Sequence, residues 1–226
     1  MNEFTIGDLI KGVENKTKLN FTGEYIPEHF WDEYGKFYIE TFENGKIDDP
    51  QNMKSPVLNV PVLLARVRDI KPKTVLEVGC GFGRILPYVL SHVPSVEKIV
   101  GIEISQSMLD AAKGYFRDYA FMDKITLIRG KAQALPFKDK EFDLTYTHVC
   151  LTHIPAEDIP QVCKEISRVT KNWIIHIERF YYLWEHPNQH RWSHNLVPYY
   201  LDLGWKLWEG EIANKEHYTK IWVLRR

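Results

Sequence analysis

The sequence predicts a doubly wound α/β fold: a mostly parallel seven-stranded sheet with an antiparallel last strand and an N-terminal helical cap. Three observations predict it. Short apolar runs alternate with helical stretches from Lys73 onward, the order that right-handed parallel crossovers demand. The first run ends in the glycines Gly79, Gly81 and Gly83, where a strand hands over to a helix and the backbone must turn sharply. The last two runs are separated only by Ala213 to Glu216, too little chain for a parallel crossover and enough for an antiparallel hairpin.

Taken in order, the aromatics Tyr25, Phe30, Trp31, Tyr34, Phe37, Tyr38 and Phe42 recur at three- and four-residue steps, which predicts an amphipathic helix over Glu28 to Thr41. The turn formers Asn44-Gly45 and Asp48-Asp49-Pro50 close it, and a second helix is expected from about Val57 to Asp69. The first strand is Thr74 to Gly79, followed by a helix over Ile85 to Val93 and a strand over Glu97 to Ile104. Ser105 is the expected N-cap of the next helix, because a serine hydroxyl can accept from an unpaired amide of the first turn. Strands follow at Lys124 to Gly130 and Glu141 to Val149, then a helix at Ala156 to Thr170 with Pro160 in its first turn, where proline is tolerated. Asn172 to Glu178 reads as a buried strand, Tyr199 to Trp205 as a short helix stopped by Gly204, and Lys206 to Ile212 and His217 to Leu224 as the final strands.

The 226 residues suit a single domain spanning 1–226, with a cap at 1–56, a core at 57–226 and a lid over the substrate at 180–203. Lys and Arg number 29 against 30 Asp and Glu, so a nucleic acid partner, which requires clustered cations, is disfavoured. Three cysteines without CxxC spacing, and an opening with no signal-peptide pattern, predict a reducing, cytoplasmic setting. No apolar stretch approaches the roughly 20 residues needed to span a bilayer.

The glycine cluster carries the functional argument. In open α/β sheets ligands sit at the carboxyl ends of strands where the strand order reverses. A dinucleotide loop requires G-x-G-x-x-G, but Arg84 stands where the third glycine belongs, so NAD is disfavoured; no G-K-[ST] follows, which excludes a phosphate-cradling loop. Glu77, two residues before Gly79, would repel a pyrophosphate and attract an ammonium group. The loop therefore favours a conjugate of an amino acid.

The run Val75-Leu-Glu-Val-Gly-Cys-Gly-Phe-Gly83 resembles the first motif of the class I methyltransferases, a Rossmann-like family, and the resemblance extends in order over Thr74 to Glu178. It implies S-adenosyl-L-methionine as cofactor and S-adenosyl-L-homocysteine as product. It implies also that Gly79, Cys80, Gly81 and Gly83 pass under the methionine moiety, with Glu77 near its amino group. Glu103, followed by Ile104 and, within the next helix, Met108, matches the acid that accepts from the ribose hydroxyls. RGKAQALPF is similar to the third motif, but Lys131 stands where that motif carries an acid, so adenine recognition is expected from main-chain groups around Ala132 or from Gln133. EFDLTYTHVCLTHIP resembles the fourth motif, which puts Thr147, His148 and His153 at the rim where donor and acceptor meet.

Transfer of a methyl group from a sulfonium is an in-line displacement that mainly needs a positioned nucleophile in a water-poor pocket. A histidine suits the removal of a proton from the acceptor, which singles out His148 and His153. Trp31 and Tyr34 of the cap and Trp184, Trp192 and His194 of the lid are expected to line the substrate pocket, and aromatics there suit an aromatic, sugar or cationic acceptor. His186, His190 and His194 recur every four residues, but Pro187 and the turn formers around them speak against a helical metal site, and no metal is expected. The expected activity is methylation of an O or N atom of a small molecule. The alternatives are a protein or RNA methyltransferase and a non-catalytic subunit that binds the cofactor.

Overall fold

Each apolar run from Thr74 onward forms a strand in the computed structural model, which describes residues 25–43, 59–116, 122–179, 192–214 and 219–226. The elements are α1 (Pro27–Glu43), α2 (Val60–Ile70), β1 (Thr74–Val78), α3 (Leu86–His92), β2 (Lys98–Glu103), α4 (Gln106–Tyr115) and β3 (Ile125–Arg129). After them come β4 (Phe142–His148), α5 (Ile159–Val169), β5 (Thr170–Arg179), α6 (Val197–Asp202), β6 (Lys206–Asn214) and β7 (Thr219–Arg225). Trp184, His186 and His190 lie outside the described residues, as does the first half of the segment expected to form a lid.

The strands form one seven-stranded sheet in the order β3-β2-β1-β4-β5-β7-β6. Strands β1 to β5 pair in parallel, while β7 runs antiparallel to both of its neighbours. The antiparallel last strand is thus inserted between β5 and β6. The order reverses between β1 and β4, so the loop after β1 opens at the switch point, where ligands of such sheets bind.

Alternate residues of the strands feed two cores. Val75, Ile99, Leu144, Tyr146, Ile175 and Val223 pack with α2, α3 and α4, and Leu76, Val100, Ile102, Ile174 and Leu224 pack with α5 and α6. At roughly 1.5 to 3 kcal/mol for each large side chain removed from water, two such layers outweigh the burial of the few polar groups threaded between them. Those polar groups are therefore affordable, and they cluster at the carboxyl ends of the strands.

Local chemistry explains the element ends. Ser105 caps α4, its Oγ accepting from Met108 N at 3.2 Å, as expected. Gly204 ends the α6 turn at φ +82°. The helix α5 passes into β5 without a loop, because Thr170 donates from Oγ1 to Ile166 O at 2.6 Å while its own residue begins the strand; the strand consequently starts before the expected Asn172. Among the described residues no helix is long and apolar enough to cross a membrane.

Candidate functional site

The three glycines after β1 adopt φ of +73° (Gly79), +56° (Gly81) and +76° (Gly83), the left-handed region that favours glycine. Their surroundings differ. A Cβ on Gly79 would collide with Cys150 Sγ and one on Gly83 with the ring of Phe116, whereas one on Gly81 would meet none of the described residues within 4 Å. Two glycines serve packing, and the middle one leaves open space beside the loop.

Two buried carboxylates flank that space. Glu103 ends β2 and accepts from three main-chain amides: Ile104 N at 2.8 Å and Ser105 N at 3.0 Å on Oε1, and Gly81 N at 2.9 Å on Oε2. Burial pushes its carboxyl upward against the pull of these donors. With about four lone-pair directions per carboxylate, acceptor capacity remains on Oε2. Glu77 is different. Parallel register sets it beside Tyr146, whose hydroxyl donates to Glu77 Oε2 at 2.9 Å. Burial, the largest effect, pushes Glu77 up to about 8, with the Arg84 charge opposing it and the Glu103 charge adding to it. A buried acid with so little compensation suits a cationic ligand. These residues fit the expected cofactor: open space over Gly81, a cation-seeking acid on one side and a hydroxyl acceptor on the other.

The end of β4 forms the opposite wall. Val149 takes φ +53°, which for a β-branched residue costs on the order of 1 to 3 kcal/mol. The turn is held from beneath by Glu178, on β5. Its Oε1 accepts from Thr147 Oγ1 at 2.7 Å and Cys150 N at 3.2 Å, and its Oε2 from Thr152 N at 3.2 Å. Burial pushes Glu178 up to about 7 despite these donors. Thr147 lies beside His176 in register, with Oγ1 2.8 Å from Nδ1. When Glu178 is ionised it takes the Thr147 hydroxyl proton and His176 donates from Nδ1, which leaves Nε2 as a buried acceptor without a partner among the described residues. Burial lowers His176 to about 3, so it stays neutral. The thiols of Cys80 and Cys150 are pushed well up by burial and serve as neutral packing atoms rather than nucleophiles.

The N-terminal helix reaches this wall. Trp31 packs edge-on against the ring of His153, with centroids 4.8 Å apart, and donates from Nε1 to Tyr25 Oη at 3.0 Å. The Tyr25 hydroxyl donates to His153 O at 3.1 Å, and its ring lies 5.7 Å from that of Trp192. Trp192 N donates to Thr152 O at 2.8 Å, Thr152 Oγ1 donates to Trp192 O at 2.9 Å, and His194 Nε2 lies 3.0 Å from Ile154 O.

The structure thus brings Trp31, His153, Trp192 and His194 together, and places Glu77, Gly81, Glu103 and Thr147 at the carboxyl ends of β1, β2 and β4. It buries Tyr34, stacked on Phe30 at 5.5 Å, and His148 at the end of β4; Met108 packs into the core below α4. Lys131 forms an ion pair with Glu28 of α1, and the Gln133 side chain donates to Asp158 Oδ2 at 2.9 Å. Of the third-motif residues, the half-buried Ala132 packs against the core under α5. Tyr25, Glu28, Asp32, Val149, His176 and Glu178 are site residues that sequence reasoning missed. Only His176 and Glu178 left a signal: two ionisable residues at strand positions otherwise read as buried and apolar.

Comparison with known proteins follows the same segment. Residues 75–172 match the family model described as a methyltransferase domain. The chain is 27% identical over 167 residues to a sterol 4-C-methyltransferase of Caenorhabditis elegans, covering 71% of this chain and 47% of that protein. It is 33% identical over 96 residues to a demethylmenaquinone methyltransferase of Lactobacillus johnsonii, covering 42% and 38% respectively. It therefore spans less than half the length of these curated relatives. Its fold is similar to that of a SAM dependent methyltransferase from Aquifex aeolicus, with a TM-score of 0.62 at 19% identity, over 81% of this chain and 97% of that one.

Proposed function

We infer that this chain, whose residues 75–172 match a methyltransferase-domain model, is a class I S-adenosylmethionine-dependent methyltransferase that methylates an O or N atom of a small molecule. The observation that carries this reading is the cleft over Gly81, with open space between a cation-seeking Glu77 and a hydroxyl-accepting Glu103. When bound, the cofactor supplies an electrophilic methyl group on a sulfonium. The protein's part is placement. Glu77 meets the ammonium group, Glu103 accepts from ribose hydroxyl, and the turn held by Glu178 sets the wall that keeps water from the acceptor. His153, half-buried at the rim against Trp31, is the proton acceptor for a hydroxyl or ammonium substrate, and His148 is the second candidate.

A small acceptor is favoured over a macromolecule by the rim. Its wall is built of Tyr25, Trp31, His153 and Trp192, and among the described residues the cations of the β3 end are engaged, Lys131 with Glu28 and Arg129 3.9 Å from Asp32. Phosphate contacts need cations that are available. The names of the relatives, a sterol and a demethylmenaquinone enzyme, point the same way. The reading places the protein in the cytoplasm, in keeping with three free cysteines.

The test is incubation with methyl-labelled S-adenosylmethionine and separate panels of phenols, quinols, amines and sterols. Label is expected in an organic-extractable product from at least one panel. Label confined to protein or RNA of an added cell extract contradicts the small-molecule reading, and no label anywhere supports a non-catalytic subunit.

A further inference from the structure

Three donors converge on Glu178 from the end of β4 and the turn after it. Its Oε1 takes Thr147 Oγ1 and Cys150 N, its Oε2 takes Thr152 N, and the residue is only 3% exposed. Thr152 carries this grip outward. Its Oγ1 donates to Trp192 O at 2.9 Å and its carbonyl accepts from Trp192 N at 2.8 Å, while the next residue, His153, stands against Trp31. A buried carboxylate is thus joined, through one residue, to two of the rings at the rim.

Packing alone does not call for an acid there, since taking a carboxylate out of water carries a desolvation cost that a neutral side chain of the same size avoids. What a carboxylate alone supplies is acceptors on both oxygens. His176 marks which form is present. Its Nδ1 lies 2.8 Å from Thr147 Oγ1, and burial lowers the ring to about 3, so it carries one proton throughout. With Glu178 ionised, Thr147 donates to it and the ring proton sits on Nδ1. With Glu178 protonated on Oε1, the acid donates to Thr147, the Thr147 hydroxyl turns to Nδ1, and the ring proton sits on Nε2. Cys150 N then loses its acceptor, and Thr152 N keeps only a neutral one, roughly half as strong.

The other groups that face Glu178 are Tyr200 of α6, whose ring lies 5.1 Å from that of His176, and Lys220 of β7, opposite Glu178 in register. Burial, against the pull of the donors, brings Glu178 to about 7, so both forms are populated near neutrality.

We propose that Glu178 is a positioning residue for the methyl acceptor: its carboxylate fixes the places of His153 and Trp192 through Thr152, and its protonation releases them. This rests on the small-molecule reading above, in which those rings meet the acceptor.

Nuclear magnetic resonance on the full chain tests it, with 15N-histidine and 5-fluorotryptophan labels and Trp192 assigned by Trp192→Phe. In the unsubstituted chain the His176 ring proton is expected on Nδ1 at about pH 8.5 and on Nε2 at about pH 5.5. The Trp192 fluorine signal is expected to shift with the same midpoint, about 7. Glu178→Gln, which has a donor on one side and an acceptor on the other, is expected to hold both signals at their acid positions across the range. Thr152→Val is expected to keep the His176 exchange and to remove more than about half of the Trp192 shift, since one of the two ties to Trp192 is gone. A His176 proton that stays in place in the unsubstituted chain overturns the positioning role, and so does a Trp192 shift that persists in Glu178→Gln. Label absent from every small-molecule panel overturns instead the reading on which the role rests, a failure that the resonance result does not share.

Discussion

Glu103→Ala is expected to weaken S-adenosylhomocysteine binding about a hundredfold or more, with secondary structure retained and thermal stability lowered by the loss of the carboxylate's three main-chain partners. The magnitude follows from what the carboxylate does. In the proposed reading it is the acceptor for ribose hydroxyl, and hydrogen bonds to a charged group contribute roughly 1.5 to 3 kcal/mol each. It also fixes Gly81 N, Ile104 N and Ser105 N, so its loss frees the loop that floors the cleft and leaves three amides to water. Glu103→Gln keeps the size and one acceptor oxygen, and is expected to fall between the two, near tenfold. Titration calorimetry reads both. An alanine variant within threefold of the unsubstituted protein contradicts the role assigned to Glu103.

The second expectation is a proton released on cofactor binding. Glu77 lies at about 8 through burial, so at neutral pH it is mostly protonated, whereas an ammonium ligand requires it ionised. The groups that face it are Tyr146 on β4, Arg84 at the end of the glycine loop, and Glu103 on β2. Affinity for S-adenosylhomocysteine should therefore rise with pH between 6 and 7.5, by at most about tenfold per unit, below the titration of the ligand's own amine near about 8. Calorimetry in buffers of different ionisation enthalpy should count up to one proton released. Glu77→Gln should flatten the slope and weaken binding. 5′-Methylthioadenosine, which lacks the ammonium group, should show no slope with the unsubstituted protein; equal slopes for the two ligands would rule out Glu77 as the source.

Without ligand the same acid works against the fold. Its native pKa lies above its ordinary value, so between about 4.5 and 8 the native state holds a proton that the unfolded state has lost. Stability then falls as pH rises through that window. Glu178, pushed up to about 7 by burial, adds in the same direction. A cationic ligand beside Glu77 removes its share of the penalty, which makes ligand stabilisation grow toward pH 7.5.

What was legible in the sequence is what local chemistry determines. The strands through Thr74, Lys98 and Ile125 are read to within a residue or two, because apolar runs bounded by turn formers have few alternatives. Ser105 was legible as a cap, since the serine acts on an amide three residues away. The glycine loop was legible because each left-handed residue there is a glycine. Val149 adopts a similar conformation with no such signal; the strain is imposed by Val149 N donating to Ile177 O at 2.7 Å and by the buried Glu178, neither of which is near in sequence.

The substitution at Lys131 shows the other limit. In sequence it reads as a departure from an acid-bearing motif. In the structure its partner is Glu28, a residue of a different element far along the chain, and only the fold reveals that the change serves a contact with α1. The aromatic rim divides in the same way. Periodicity marks Trp31 and Tyr34 equally as faces of an amphipathic helix, yet Trp31 stands against His153 while Tyr34 is buried against Phe30.

The central claim is that the cleft over Gly81 holds an adenosyl amino acid, and its most direct test is calorimetric titration of the unsubstituted protein with S-adenosylhomocysteine and, in parallel, NADH. The account predicts a single site for S-adenosylhomocysteine of about micromolar affinity and no measurable heat with NADH. No binding of S-adenosylhomocysteine, or tighter binding of NADH, would contradict it.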